Sequence, residues 1–170
     1  AQQIQTWLAK ANHQPAVWLQ ASAIGFYGAR EPNEGLTESS PPSTGFMSEL
    51  CQAIEAQATA AESMGIRVVN LRLGLVLGHG GPLPMLALPF RFFFGGRMGA
   101  GQQIVSWIHL SDVLGIMARA IAKNDMRGSF NAVSPSPVAQ TVLAQSIAKQ
   151  LRRPSWFHLP AKPFRLLMGE

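Results

Sequence analysis

Residues 16 to 28, Ala-Val-Trp-Leu-Gln-Ala-Ser-Ala-Ile-Gly-Phe-Tyr-Gly, narrow the folds open to this chain more than any other stretch. An apolar, aromatic run ends abruptly in small residues and a glycine-bounded turn. That is the pattern of a buried parallel strand delivering its carboxyl end into a crevice. In open α/β sheets ligands bind at that end. Trp18 to Ser22 is therefore expected as an interior ribbon of a parallel layer, lying parallel to Val68–Leu71.

A second run of the same kind, Ile66 to Leu73, is rich in β-branched residues and ends in Gly74-Leu75-Val76-Leu77-Gly78. Between the two, Phe46, Leu50, Ile54 and Ala61 recur at helical spacing until Gly65, where a helix should stop. Strand, helix, strand is a crossover unit. Residues 29 to 45 form a polar loop too rich in Pro, Gly and Ser for regular structure. Loops of this length in compact domains are functional lids or disordered.

The rest of the chain continues the alternation. Residues 1 to 12 read as a helix with Ile4, Trp7, Leu8 and Ala11 on one face, ended before Pro15. Pro82 to Phe94 is a hydrophobic helix, irregular around Pro84 and Pro89, and Gly95 to Gly101 is a flexible loop. Gln103 to His109 is a short strand, and Ser111 can cap a helix from Asp112 to about Lys123. A strand over Ser129 to Val133, a helix over Val142 to Leu151, a short strand over Trp156 to Leu159 and a helix from Pro163 onward complete the reading. The expected class is α/β: part of a Rossmann-like, doubly wound parallel sheet with a small α/β lobe.

Composition bounds the function. In 170 residues, 47% apolar content is enough for a core, and no linker or repeat divides the chain. Net charge is +5 with only 14% charged residues, so the balance comes from few acids rather than from basic blocks. A solvated basic surface is the first reading, attraction of phosphorylated small molecules the second, and nucleic acid the last, since no Lys/Arg run is interleaved with aromatics. The longest apolar runs fall short of the ~20 residues that span a bilayer, so no membrane partner is expected. One cysteine, Cys51, forms no intrachain disulfide and points to a reducing, cytoplasmic setting; within a helical pattern it reads as a small core residue. The histidines at 13, 79, 109 and 158 lack metal-ligand spacing, so no metal site is expected. The chain opens without Met, inside an amphipathic pattern, and ends in an apolar helix-like run, which reads as a piece of a longer protein.

Five segments, in order, carry a resemblance. Ser-Ala-Ile-Gly-Phe-Tyr-Gly (22 to 28), Leu-Arg-Leu-Gly-Leu-Val-Leu-Gly (71 to 78), Ser-Trp-Ile-His-Leu-Ser-Asp (106 to 112), Gly-Ser-Phe-Asn-Ala-Val-Ser-Pro (128 to 135) and Arg-Leu-Leu-Met-Gly-Glu (165 to 170) resemble the extended short-chain dehydrogenase/reductases. Within them the chain is similar to the subgroup called epimerase family proteins. The resemblance covers essentially the whole chain. It implies that residues 1 to 78 are the C-terminal part of a dinucleotide-binding domain. It also implies that residues 79 to 170 are mostly a substrate lobe, with about 104 to 133 returning to the core. The implied cofactor is NADP or NAD, held mainly by an N-terminal half outside this sequence. No G-x-G-x-x-G follows a strand and opens a helix here, and Gly99-Ala100-Gly101 reads as a hinge.

By the same resemblance Ala21, Ser22, Ala23, Leu73, Gly74 and Leu75 line the cofactor, and His79, Arg97 and Gln103 lie in segments closing over a small-molecule substrate. A homodimer is a further expectation. In the wider family a Tyr and a Lys four positions on exchange a proton with substrate while a serine orients its oxygen. Here Phe46 and Leu50 stand at those two positions, and neither can titrate. Three readings stand open: another acid, Tyr27 being the nearest phenol; dinucleotide binding without turnover; or chemistry carried by residues outside the chain. Ser22 is the candidate serine, with a strand-end structural role as its alternative, and a gapless comparison with sugar epimerases puts Ala23 there instead. For Tyr27 the alternative is aromatic packing. His109 and Asp112 match a segment that fastens the substrate lobe to the core.

Overall fold

A computed structural model describes residues 2–8, 10–31 and 34–159; the helix expected from Pro163 onward lies outside them. In chain order the elements are α1 (Gln2–Leu8), β1 (Val17–Ala23), α2 (Phe46–Thr59), β2 (Arg67–Leu73), β3 (Leu75–Leu77), α3 (Pro82–Arg91) and β4 (Gly96–Met98). They continue with β5 (Ile104–Val105), β6 (Trp107–His109), α4 (Leu110–Ala122), β7 (Gly128–Ala132), β8 (Val138–Ala139), α5 (Gln140–Leu151) and β9 (Phe157–Leu159). The chain divides into two compact units, Ala1–Gly74 with Leu110–Val133, and Leu75–His109 with Ser134–Glu170.

The first unit is a parallel sheet in the order β1-β2-β7. Val17 to Ala23 pair with Arg67 to Leu73, and Val69 to Leu73 with Gly128 to Ala132. The β-branched run therefore became the middle strand, buried along nearly its whole length, because it alone has a partner on each side. The expectation that Trp18 to Ser22 would be interior is corrected. Among the described residues β1 has one partner and is only partly buried, with Ala21 exposed. The parallel direction expected for it holds.

Helix α2 packs across these strands and runs on through a 3₁₀ turn, Ala60–Met64, to Gly65, whose φ of 79° ends it in the left-handed region. Its inward face is not the apolar stripe of the sequence. Ser48, Cys51, Glu55 and Ala58 are buried, whereas Phe46 and Leu50 are exposed. Near the amino ends of the strands the packing is apolar, with Ala58 and Ala61 against Trp18, Val68, Ile66 and Leu8 of α1. Burial of these side chains supplies the ordinary hydrophobic drive. Toward the carboxyl ends the same layer turns polar.

Among the described residues the second unit contains three strand pairs: β3 with β6 and β4 with β9, both parallel, and β5 with β8, antiparallel. The single strand expected over Gln103 to His109 is two strands, because its halves pair with different partners. The flexible loop expected over Gly95 to Gly101 holds β4. A Cβ on Gly96 would lie 1.7 Å from the Phe157 carbonyl oxygen, so glycine is what lets β4 and β9 approach. Helices α3 and α5 pack through Ala87 and Phe90 against Ala144, Ile147 and Ala148. Ser111 is not a cap: α4 starts at Leu110, which puts Ser111 inside the first turn.

Candidate functional site

Parallel register turns alternate positions of three strands into cross-strand rows. Gln20, Asn70 and Ser129 form one row, and Ser22, Arg72 and Asn131 the next. Every one of these residues is polar, and Glu55 of α2 descends onto them. The Arg72 guanidinium grips the Glu55 carboxylate bidentately, Nε to Oε1 at 2.9 Å and Nη2 to Oε2 at 2.8 Å. Ser22 Oγ donates to Glu55 Oε1 at 2.7 Å, and Ser129 Oγ to Oε2 at 3.1 Å. These four bonds all come from the sheet.

Beyond Ser22, β1 bends into a 3₁₀ turn, Ile24–Tyr27, that brings two aromatic rings over Arg72. The guanidinium carbon lies 3.5 Å from the Phe26 ring centroid, and Phe26 meets Tyr27 edge-to-face at 5.3 Å. Arg72 Nη1 donates to the Tyr27 hydroxyl at 2.8 Å, which in turn donates to Asn131 Oδ1 at 2.7 Å. The turn closes on Gly28 with φ 66°, and a Cβ there would stand 2.5 Å from Cβ of Ser43. Ser43 N and Ser48 Oγ both donate to the Phe26 carbonyl.

The polar loop after the turn is anchored to the same centre. Glu38 accepts from Asn131 N at 2.8 Å through Oε1 and from Arg72 Nη1 at 3.3 Å through its carbonyl. Arg30 bonds back to the carbonyls of Tyr27 and Pro41.

Electrostatics follow from this geometry. Burial pushes the Glu55 carboxyl up, but the bonds from Arg72 and Ser22, the Arg72 charge and the Ser129 bond outweigh it and hold it below the ordinary carboxylate value. Burial pushes the Arg72 guanidinium down, and the bonds to Glu55 and Tyr27 with the Glu55 charge raise it above its usual value. Both groups are therefore charged through the neutral range.

The structure brings Ser22 and Tyr27 into one network, and both hydroxyl protons are committed within it, to Glu55 and to Asn131. Among the other residues singled out in the sequence, Ala21 and Ala23 lie at the end of β1, Leu73 ends β2 and Gly74 follows it. Leu75 opens β3 in the second unit, which also holds His79, Arg97 and Gln103. His79 and Arg97 are exposed, and Gln103 Nε2 donates to the Met98 carbonyl. Phe46 and Leu50 lie one turn apart on α2, 77% and 41% exposed. Cys51 is buried beside Phe26 and Tyr27. Among the described residues no group of three His, Cys, Asp or Glu could hold a metal ion.

Sequence reasoning missed Glu55, Arg72, Asn131, Ser129 and Glu38. A signal for three of them was present: Arg72, Ser129 and Asn131 lie in strands where polar residues recur at every second position. For Glu55 no such signal existed, because acids on helices ordinarily face water.

A parallel sheet covered by a helix, with a tight turn at the carboxyl end of β1, defines a Rossmann-like α/β protein. The chain belongs to the NAD dependent epimerase/dehydratase family, whose model matches residues 1–133. It is 32% identical over 168 residues to the epimerase family protein YfhF of Bacillus subtilis, covering 99% of this chain and 55% of that protein. It is 35% identical over 161 residues to the chloroplastic SDR39U1 homolog of Arabidopsis thaliana, covering 94% and 46%. Human epimerase family protein SDR39U1 (isoform 2), solved with NADPH, superposes with a TM-score of 0.79 at 30% identity, over 94% of this chain and 54% of that one. The chain spans about half the length of these relatives.

Proposed function

We propose that the protein carrying this chain is an NAD(P)-dependent oxidoreductase or epimerase acting on a small hydroxyl or carbonyl compound. The supporting observation is the pair of strand ends, Ala21 to Ala23 on β1 and Leu73 on β2 with Gly74 just after it, within a family whose human member was solved with NADPH. Their side chains are small or apolar and Ala21 is exposed, which fits the flat nicotinamide end of a dinucleotide. No Gly-x-Gly-x-x-Gly turn, the pattern that receives a dinucleotide pyrophosphate, occurs in the sequence of this chain. When bound, the cofactor supplies hydride chemistry.

The chain's own contribution is to hold these strand ends in place. Glu55 and Arg72 lock β1 to β2 at Ser22, and Tyr27 with Asn131 extends the lock to β7. Ser22 and Tyr27 are the proposed groups for orienting a substrate oxygen and exchanging its proton; each must release a network bond to do so. His79, Arg97 and Gln103 are proposed as substrate-side groups, and the lone buried Cys51 supports a cytoplasmic setting.

The exposed, apolar Phe46 and Leu50, at the positions where proton-exchanging side chains would stand, favour a second reading: dinucleotide binding without turnover. NADPH oxidation by the whole protein across a carbonyl panel separates the two. Turnover that Tyr27→Phe reduces in kcat with KM unchanged supports the first, and NADPH binding without turnover supports the second.

A further inference from the structure

Helix α3, Pro-Leu-Pro-Met-Leu-Ala-Leu-Pro-Phe-Arg, has a single polar residue, Arg91 at its end. Its inner side packs on α5 through Ala87 and Phe90. Its other side is equally apolar and uncovered among the described residues. Met85 and Leu88 on that side, and Phe92 just beyond the helix, follow at helical spacing, each half exposed or more. A helix that is hydrophobic all round belongs in a core or against lipid.

The chain then carries the exposed surface onward as Phe92, Phe93 and Phe94. Phe93 holds a φ of 65°, a left-handed conformation that a bulky side chain rarely adopts. The rings make defined contacts. The Arg153 guanidinium carbon sits 4.5 Å from the Phe93 centroid, and Phe94 meets Phe157 edge-to-face at 5.8 Å. Phe157 meets the exposed Trp156 in the same way at 5.9 Å.

Charge around this surface is one-sided. The second unit contains five Lys or Arg between residues 75 and 109 and between 134 and 159, and no Asp or Glu in either span. Arg91, Arg152 and Arg153 are all exposed near the aromatic residues in sequence. Aromatic and aliphatic side chains bordered by arginines, with no acid among them, match the boundary between acyl chains and anionic headgroups. A single-stranded nucleic acid is a poorer fit, because Met85 and Leu88 offer no stacking surface and the Phe94, Phe157 and Trp156 rings pack on one another.

We propose that this face of the second unit docks peripherally on a bilayer containing anionic phospholipid, Phe92, Phe93 and Trp156 entering the headgroup boundary and Arg152 and Arg153 meeting lipid phosphates. The absence of a spanning run, which led the sequence to no membrane partner, does not bear on a surface of this kind. The test is co-sedimentation of the whole protein with phosphatidylcholine vesicles, with and without phosphatidylglycerol. Binding to the anionic vesicles alone, weakening as salt rises, is expected. Phe93→Gly suits the backbone at that position and removes one ring, so it keeps the fold and should lower partitioning by about tenfold. Arg152→Glu with Arg153→Glu should abolish it. The proposal is overturned by absence of vesicle binding, by equal binding to neutral vesicles, or by binding that these variants leave unchanged. It is equally overturned if the same variants instead abolish self-association or oligonucleotide binding.

Discussion

Arg72 and Glu55, seventeen positions apart in sequence, meet through two parallel hydrogen bonds of 2.8 and 2.9 Å with side chains only 6% and 8% exposed. A buried pair of this kind stabilises little in net terms, yet removing one partner strands a charge. Glu55→Gln or Arg72→Met alone should destabilise by about 3–5 kcal/mol in urea unfolding. Glu55→Gln combined with Arg72→Met should lose much less than the sum of the single changes, and additivity would show that the two residues act independently.

Acid should weaken the same pair. Because the folded Glu55 carboxyl lies below its ordinary value of 4.5, its contribution is complete above that pH and is lost as pH falls through the folded value. Arg72, raised above its usual value, stays charged throughout this range. The stability gap between the natural chain and Glu55→Gln should therefore narrow as pH drops below 4.5. A constant gap, followed by circular dichroism, would refute the assignment.

Tyr27→Phe removes a hydroxyl that both accepts from Arg72 and donates to Asn131. Leaving those partners unpaired should destabilise by about 1–3 kcal/mol, while the Phe26 contact with Arg72 persists. Asn131→Leu should remove part of the same energy, and the two changes should be non-additive by thermal unfolding.

Gly28→Ala confronts both a φ of 66° and a contact 2.5 Å from Ser43 Cβ. It should destabilise by about 2 kcal/mol or more. Adding Ser43→Gly removes the contact but not the conformational penalty, so chemical denaturation should show partial rescue.

Phe46→Tyr with Leu50→Lys places a phenol and an amine one turn apart on an exposed helix face. Stability should change by less than about 0.5 kcal/mol. In the whole protein NADPH oxidation on carbonyl compounds should rise; an unchanged rate would show that proton exchange is not what the site lacks.

Much of the architecture was legible because it is written in local patterns. The β-branched run at 66 to 73, the small-residue ending of the run at 16 to 22 and the glycine at 65 each act within a few residues. The strands, their parallel direction and the helix between them followed from that. Burial order did not, since being central or flanking depends on which strands pair, and β2 gained two partners where β1 has one. The buried face of α2 was not legible for a related reason. Phe46, Leu50 and Ile54 make the better apolar stripe, but Glu55 finds Arg72, Ser22 and Ser129 beneath it, and those bonds turn the helix the other way.

The sequence by itself determined the α/β class, the family and the turn at Gly25 to Gly28, because periodicity, glycine placement and motif order are properties of neighbours along the chain. Only the tertiary structure decided that Ser22, Glu55, Arg72, Tyr27 and Asn131 share one hydrogen-bonded centre. The reason is physical. A buried charge is tolerable only where its partners converge from several strands and a helix, and that convergence exists only once parallel register has aligned residues more than a hundred positions apart.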